Sequence, residues 1–175
     1  PPESIRIIKP GIESYEGIRC LPDLASLDLR LDLLVVAVGA EQVPRLVEEV
    51  IDRNAAEAVM LISGGMGETR DSKERARQVM EKMSAAHLRE DGGPVFLGAN
   101  CLGVISHPGK FDTMFIPEAK LPKRRGAYKR TAAFVSQSGA FVISAISKLP
   151  WLKPAYSITV GNQQDVTVPD YVERL

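Results

Sequence analysis

Three unbroken apolar runs, each closed by glycine, serine or asparagine, constrain this chain more than any other feature. They are residues 32–38 (Leu33, Leu34, Val35, Val36, Ala37, Val38), residues 58–62 and residues 95–98. Continuous rather than alternating apolarity marks a strand covered on both faces, as in parallel sheets. Between the runs the period changes to that of a helix. Val43, Leu46, Val47, Val50 and Ile51 recur at helical spacing, with Pro44 tolerated in the first turn. Residues 72–90 form a longer, charged helical stretch. Ala76, Val79, Met80 and Met83 are its expected apolar side, and Asp71 or Ser72 its cap. Gly92-Gly93-Pro94 stops it. The order β-α-β-α-β predicts an α/β fold with a parallel, doubly wound sheet and right-handed crossovers. Upstream, residues 4–8 and 19–21 are short extended pieces; Pro10-Gly11 ends the first, and Pro22-Asp23 can open a helical turn.

Residues 99–130 change character, with glycines, prolines, a basic cluster and no clear period. A connection of that length is functional or interdomain, and we place a boundary near Gly126. A strand over 131–135, a helix over 139–148, a strand over 156–160 and a helix starting near Asp170 follow. About fifty residues bury too little to form a good core alone, so the chain reads as an internal piece of a longer protein. The formal net charge is 0. Electrostatics therefore give no reason to expect nucleic acid or an acidic membrane. No apolar run approaches the ~20 residues that span a bilayer, and Pro-Pro-Glu-Ser at the start lacks signal-peptide features. Cys20 and Cys101, the 2 cysteines, lie far apart. A reduced, cytoplasmic chain is the simpler reading, and scattered Cys and His do not have metal-ligand spacing.

The residues that can carry chemistry collect where strands end: Gly39-Ala40, Ser63-Gly64-Gly65, Asn100-Cys101, Ser136-Gln137-Ser138-Gly139 and Gly161-Asn162. In open α/β sheets ligands bind outside the carboxyl ends of the strands. Taken singly, each site is equally a set of turn formers. At residues 135–140 a strand runs straight into a helix start carrying two hydroxyls and no acidic residue in its first turn. Free N–H groups and the helix dipole favour an anion there; a capped turn without a ligand is the plain alternative. A hydrolase nucleophile at Ser136 or Ser138 is disfavoured, since the stretch is not G-x-S-x-G. His107, in Ser-His-Pro-Gly, reads as an exposed turn and His87 as a residue suited to a helix C-terminal end; for either, a structural or solvent role is expected rather than a catalytic one. Cys101 is either an ordinary buried cysteine or a thiol beside a thioester. Lys123-Arg124-Arg125 with Lys129-Arg130, near Tyr128, reads as a solvated linker, with help to a polyphosphate second. No G-x-G-x-x-G fingerprint supports a dinucleotide site.

Three motifs then occur in order: Gly98-Ala99-Asn100-Cys101-Leu102-Gly103, Val135-Ser136-Gln137-Ser138-Gly139-Ala140 and Gly161-Asn162-Gln163-Gln164-Asp165-Val166. In these the chain resembles the NDP-forming acyl-CoA synthetases, a family that includes ADP-forming acetyl-CoA synthetase and the succinyl-CoA synthetase α subunit. The part from Ser4 to Glu68 is similar to the later portion of the family's CoA-binding domain. The resemblance implies an incomplete three-layer, Rossmann-like CoA-binding domain over 1–125, lacking its first βα unit. It implies that 126–175 is the first half of a flavodoxin-like ligase domain. It implies a ligase that makes acyl-CoA from a small carboxylic acid, CoA and a nucleoside triphosphate, through an acyl phosphate and a phosphohistidine. It leaves no catalytic residue within this chain, because the phosphohistidine is expected beyond Leu175. Ser136, Gln137, Ser138 and Gly139 would form the phosphate cradle; Gly39, Ala40, Ser63, Gly64, Asn100 and Cys101 would line the CoA crevice. ATP/ADP or GTP/GDP with Mg would belong to the full enzyme, with an ATP-grasp domain or subunit as partner and an oligomer expected. Departures are the missing first Gly-rich loop, Ala99 for a usual proline, a looser Ser63-Gly64-Gly65-Met66-Gly67-Glu68, and no match of His87 or His107 to the phosphohistidine motif. This piece alone is then expected to be inactive. A non-catalytic CoA or acyl-CoA binding module fused to another domain is the alternative.

Overall fold

A computed structural model describes residues 4–121, 129–149 and 151–175. The expected boundary at Gly126, and Lys123, Arg124, Arg125 and Tyr128, lie outside the described residues. Three short strands come first: β1 (Ile7–Ile8), β2 (Ser14–Tyr15) and β3 (Ile18–Leu21), ordered β1-β3-β2. Next come β4 (Leu31–Val36), α1 (Val43–Arg53), β5 (Ala56–Leu61), α2 (Lys73–His87) and β6 (Val95–Gly98). β4, β5 and β6 pair in parallel in that order, with Leu34 opposite Val59 and Met60 opposite Leu97.

The two faces of this sheet are covered differently. Val36, Val59, Leu61 and Phe96 pack against Val43, Val47, Val50, Val79, Met83 and Ala86 of α1 and α2, which also touch each other. α1 and α2 thus share one face, and a helix from later in the chain reaches the other. The other face, with Leu33, Met60, Ile62 and Leu97, is closed by Val104, Val135, Val160, Val168 and Tyr171 from the second half of the chain. Two apolar faces are what the continuous runs encode, but β4 is an edge strand and Val35 is 41% exposed. On α2, Met80 is 43% exposed and Ala86 completes the buried side instead. Ser72 stands at the N-cap without capping.

The stretch expected to be structureless holds β7 (Val104–Ser106) and β8 (Phe111–Asp112), joined by the turn that contains His107. Strands of two or three residues are too short to show a period. After them come β9 (Ala133–Ser136), α3 (Gly139–Lys148), β10 (Tyr156–Thr159) and α4 (Val168–Arg174), the last opened by a Thr167–Asp170 capping box. The Leu175 N–H donates to the Tyr171 carbonyl of α4 at 3.1 Å. The second sheet is mixed, ordered β8-β7-β10-β9, with β10 parallel to β9 and antiparallel to β7. Strands from both sides of Gly126 therefore share one sheet.

A candidate ligand crevice at the strand ends

The carboxyl ends of β4, β5, β6, β9 and β10 are tied into one region by short polar contacts. Ser63, after β5, donates its hydroxyl to the Val38 carbonyl at 2.6 Å. Asn100, after β6, donates its backbone N–H to the Ser63 carbonyl at 3.0 Å. A Cβ on Gly65 would stand 3.0 Å from that of Ala40, so the first two strand ends touch. Gly64 is exposed and lies beside the Asn100 side-chain amide and the Glu68 carboxylate. Gly39, Ala40, Ser63, Gly64 and Asn100 are thus brought together.

The segment after β10 crosses these ends. Asn162, Gln164 and Val166 donate backbone N–H groups to Ala99, Gly98 and Phe96 at 2.8, 2.9 and 3.2 Å, running antiparallel along β6. Gly161 permits the crossing: its φ is +61°, and a Cβ there would overlap the Ala99 carbonyl. The same glycine ties in the serine turn, donating its N–H to the Gln137 carbonyl at 3.2 Å and accepting from the Gln137 side-chain amide at 3.2 Å. Gly139 packs so tightly on Leu102 that a Cβ would come within 2.7 Å of it. Ser138 caps α3, accepting from the Phe141 N–H at 3.3 Å, and the first turn holds no acidic residue. Ser136 Oγ accepts from the Ser138 N–H at 3.2 Å. Ala140 and Phe141 are exposed, so apolar side chains do not bury this helix start.

Cys101 belongs to the core. Its side chain is 3% exposed, among Met60, Leu97 and Val160, and its thiol donates to the Leu61 carbonyl at 3.3 Å. Burial pushes the thiol up to about 11. Only its backbone lies at the strand end. His87 takes a structural place. Its Nδ1 stands 2.7 Å from the Gly92 carbonyl and its Nε2 2.8 Å from Asp165 Oδ1. Asp165 Oδ2 accepts from the Phe96 N–H at 2.7 Å. The Gly92 hydrogen bond, opposed by burial and aided by Asp165, raises the histidine's pKa. His107 sits at the far turn, with its pKa lowered by burial and by Arg130.

Four residues that the strand-end pattern leaves out shape the crevice. Ser72 Oγ accepts from the Gly67 and Thr69 N–H groups at 3.0 Å each, which is why it does not cap α2. Arg75 donates to the Gly65 carbonyl at 2.6 Å and pairs with Glu41 at 3.4 Å. Glu68 accepts from the Met66 N–H at 2.6 Å and from the Asn162 amide at 2.9 Å. Burial works against its ionisation, but these donors outweigh it and lower the pKa. Gln164 reaches back to the Met66 carbonyl at 2.6 Å. A helical period hides Ser72 and Arg75; the last motif did contain Gln164.

This arrangement is that of an open α/β sheet with its polar strand-end residues gathered in one region, the place where such sheets bind ligands. Residues 3–107 match the family described as the CoA binding domain, and the chain belongs to it. The ADP-forming acetate–CoA ligase I of Archaeoglobus fulgidus is 28% identical over 174 residues, 98% of this chain and 24% of that protein. The α subunit of the ADP-forming acetate–CoA ligase I of Pyrococcus furiosus is 28% identical over 161 residues, 91% of this chain and 31% of the subunit. The apo form of the dinucleotide forming acetyl-coenzyme A synthetase 1 of Ca. Korarchaeum cryptofilum superposes with a TM-score of 0.80 at 20% identity, covering 97% of this chain and 34% of that one. The chain thus spans about a quarter to a third of these relatives' length.

Proposed function

We propose that this chain is the CoA-binding part of an NDP-forming acyl-CoA synthetase. The observation that supports the reading is the hydrogen bonding that draws five strand ends into one region in a member of the CoA binding domain family. The residues present fit a thin, amide-bearing arm: Gly64 leaves the backbone bare between the Asn100 amide and the Glu68 carboxylate, and Arg75 supplies a cation fixed at Gly65. In this reading Gly39, Ala40, Ser63, Gly64 and Asn100 line the CoA site, and Cys101 contributes backbone only. Bound CoA supplies the thiol that becomes the thioester.

Ser136, Gln137, Ser138 and Gly139 then cradle a phosphoryl group at the start of α3, where open N–H groups and the dipole meet developing charge. The phosphohistidine comes from sequence beyond Leu175. Neither histidine of this chain suits the role: His87 is held by Asp165, and His107 lies in the β7–β8 turn. The full enzyme joins a small carboxylic acid to CoA in the cytoplasm, using ATP or GTP with Mg on an ATP-grasp domain or subunit within an oligomer. Residues 1–125 belong to its CoA-binding domain and 126–175 to the ligase domain.

Calorimetry on the full-length protein tests the reading by titrating CoA, dephospho-CoA and NADH. CoA is expected to bind tightest. Tighter binding of NADH overturns the assignment.

A further inference from the structure

The loop after β5 is held from across the sheet. Met66, at its centre, is 1% exposed. Its carbonyl accepts from the Gln164 amide at 2.6 Å and from the Asn162 amide at 3.2 Å. Asn162 also donates to the Glu68 carboxylate at 2.9 Å. Both residues sit on the segment that pairs with β6 and is pinned to the serine turn through Gly161. Gln164 is 8% exposed, and its Oε1 has no hydrogen-bond partner among the described residues. A buried amide oxygen without a protein donor lowers stability. An apolar residue of the same length would pack there without that penalty. Core stability therefore does not explain Gln164, whereas its short bond to the loop does.

We propose that Asn162 and Gln164 are positioning residues that clasp the Ser63–Glu68 loop in its binding shape. The proposal rests on the CoA reading of the crevice. The clasp fixes the bare Gly64 backbone against Asn100 before ligand arrives, so less ordering is left to binding. Because the clasp segment also holds Gln137, the geometry of the loop and that of the serine turn are set by one piece of backbone.

The test uses Gln164→Met and Asn162→Asp in the full-length protein, with Gln78→Ala on the exposed side of α2 as control. Three quantities are measured: amide hydrogen exchange at residues 64–68 without ligand, the Kd for CoA, and the melting temperature. Gln164→Met should speed exchange at residues 64–68 and weaken CoA binding about fivefold to tenfold, the size expected for one lost hydrogen bond. Its melting temperature should change little, because the loss of the unpaired Oε1 offsets the lost bond and Asn162 still donates to the Met66 carbonyl. Asn162→Asp, which sets a second carboxylate against Glu68 and removes a donor from the Met66 carbonyl, should also speed that exchange and weaken CoA binding. Unchanged exchange in both variants overturns the clasp. So does faster exchange with unchanged CoA affinity, or weaker binding that merely follows a fall in melting temperature. Failure of the wild-type protein to bind CoA at all overturns the parent reading together with this one, and is seen before any variant is made.

Discussion

At single residues, backbone proximity decides more than side-chain chemistry. Gly161 is the sharpest case, because its φ of +61° and the neighbouring Ala99 carbonyl both refuse a Cβ. Gly161→Ala should cost about 1–3 kcal/mol, read as a lower urea midpoint with an unchanged slope. Cys101 is the opposite case, a reactive group made inert by its surroundings. With the thiol buried and pushed up to about 11, little thiolate forms near neutral pH. In a Cys20→Ser background, Cys101 should react with a disulfide reagent at pH 8 only as fast as the protein opens. Rapid labelling of the folded protein would contradict its place in the core.

The elements that meet at the crevice are joined by polar contacts between groups far apart in sequence. The C-terminal end of α2 is fastened to the segment after β10 by His87 and Asp165. Both ring nitrogens face acceptors, so the doubly protonated ring is the form that fits. Folding raises the histidine's pKa above its ordinary 6.5. The contact therefore contributes fully below about pH 6.5 and is lost as pH rises through the higher folded value. Urea titrations across that window should show stability falling with pH, and His87→Gln should flatten the slope. A slope unchanged by the substitution would remove His87 from the account. α3 begins with no local charge to answer its dipole. On the proposed reading, Ser138→Asp in the full-length protein should place a negative charge there and cut phosphoryl transfer strongly, while leaving CoA affinity nearly unchanged. Full activity in that variant would exclude the cradle.

Across the whole molecule, the second half of the chain brings α4 and strands of the second sheet onto the first sheet. Val104, Val135, Val160, Val168 and Tyr171 close the face that α1 and α2 leave open. β7 and β10 also pair across the expected boundary at Gly126. The two halves should therefore unfold together. A version ending at residue 121 leaves β7 without β10 and exposes Leu33, Met60 and Leu97. It should lose the single cooperative transition of the full chain, as followed by circular dichroism during melting. Two separate transitions in the full chain would show that the shared core is dispensable.

The apolar runs and the helical repeats were enough to read the parallel β4–β5–β6 unit, its two helices and the later strand–helix–strand unit, because period reports which face of an element avoids water. The strand-end glycines, serines and asparagine were legible for the same local reason: the runs stop there. Period does not report which surface supplies the cover. That Met60 and Leu97 would be buried by β7, β9, Val160 and α4, and that Cys101 would turn inward, depended on packing between segments far apart in the chain. Nor could spacing show that Ser72 gives up its cap for the loop before it, or that His87 finds Asp165 seventy-eight positions away. Such pairings arise only once the sheet sets the strand ends side by side, because a hydrogen bond depends on distance in space and carries no mark in the sequence.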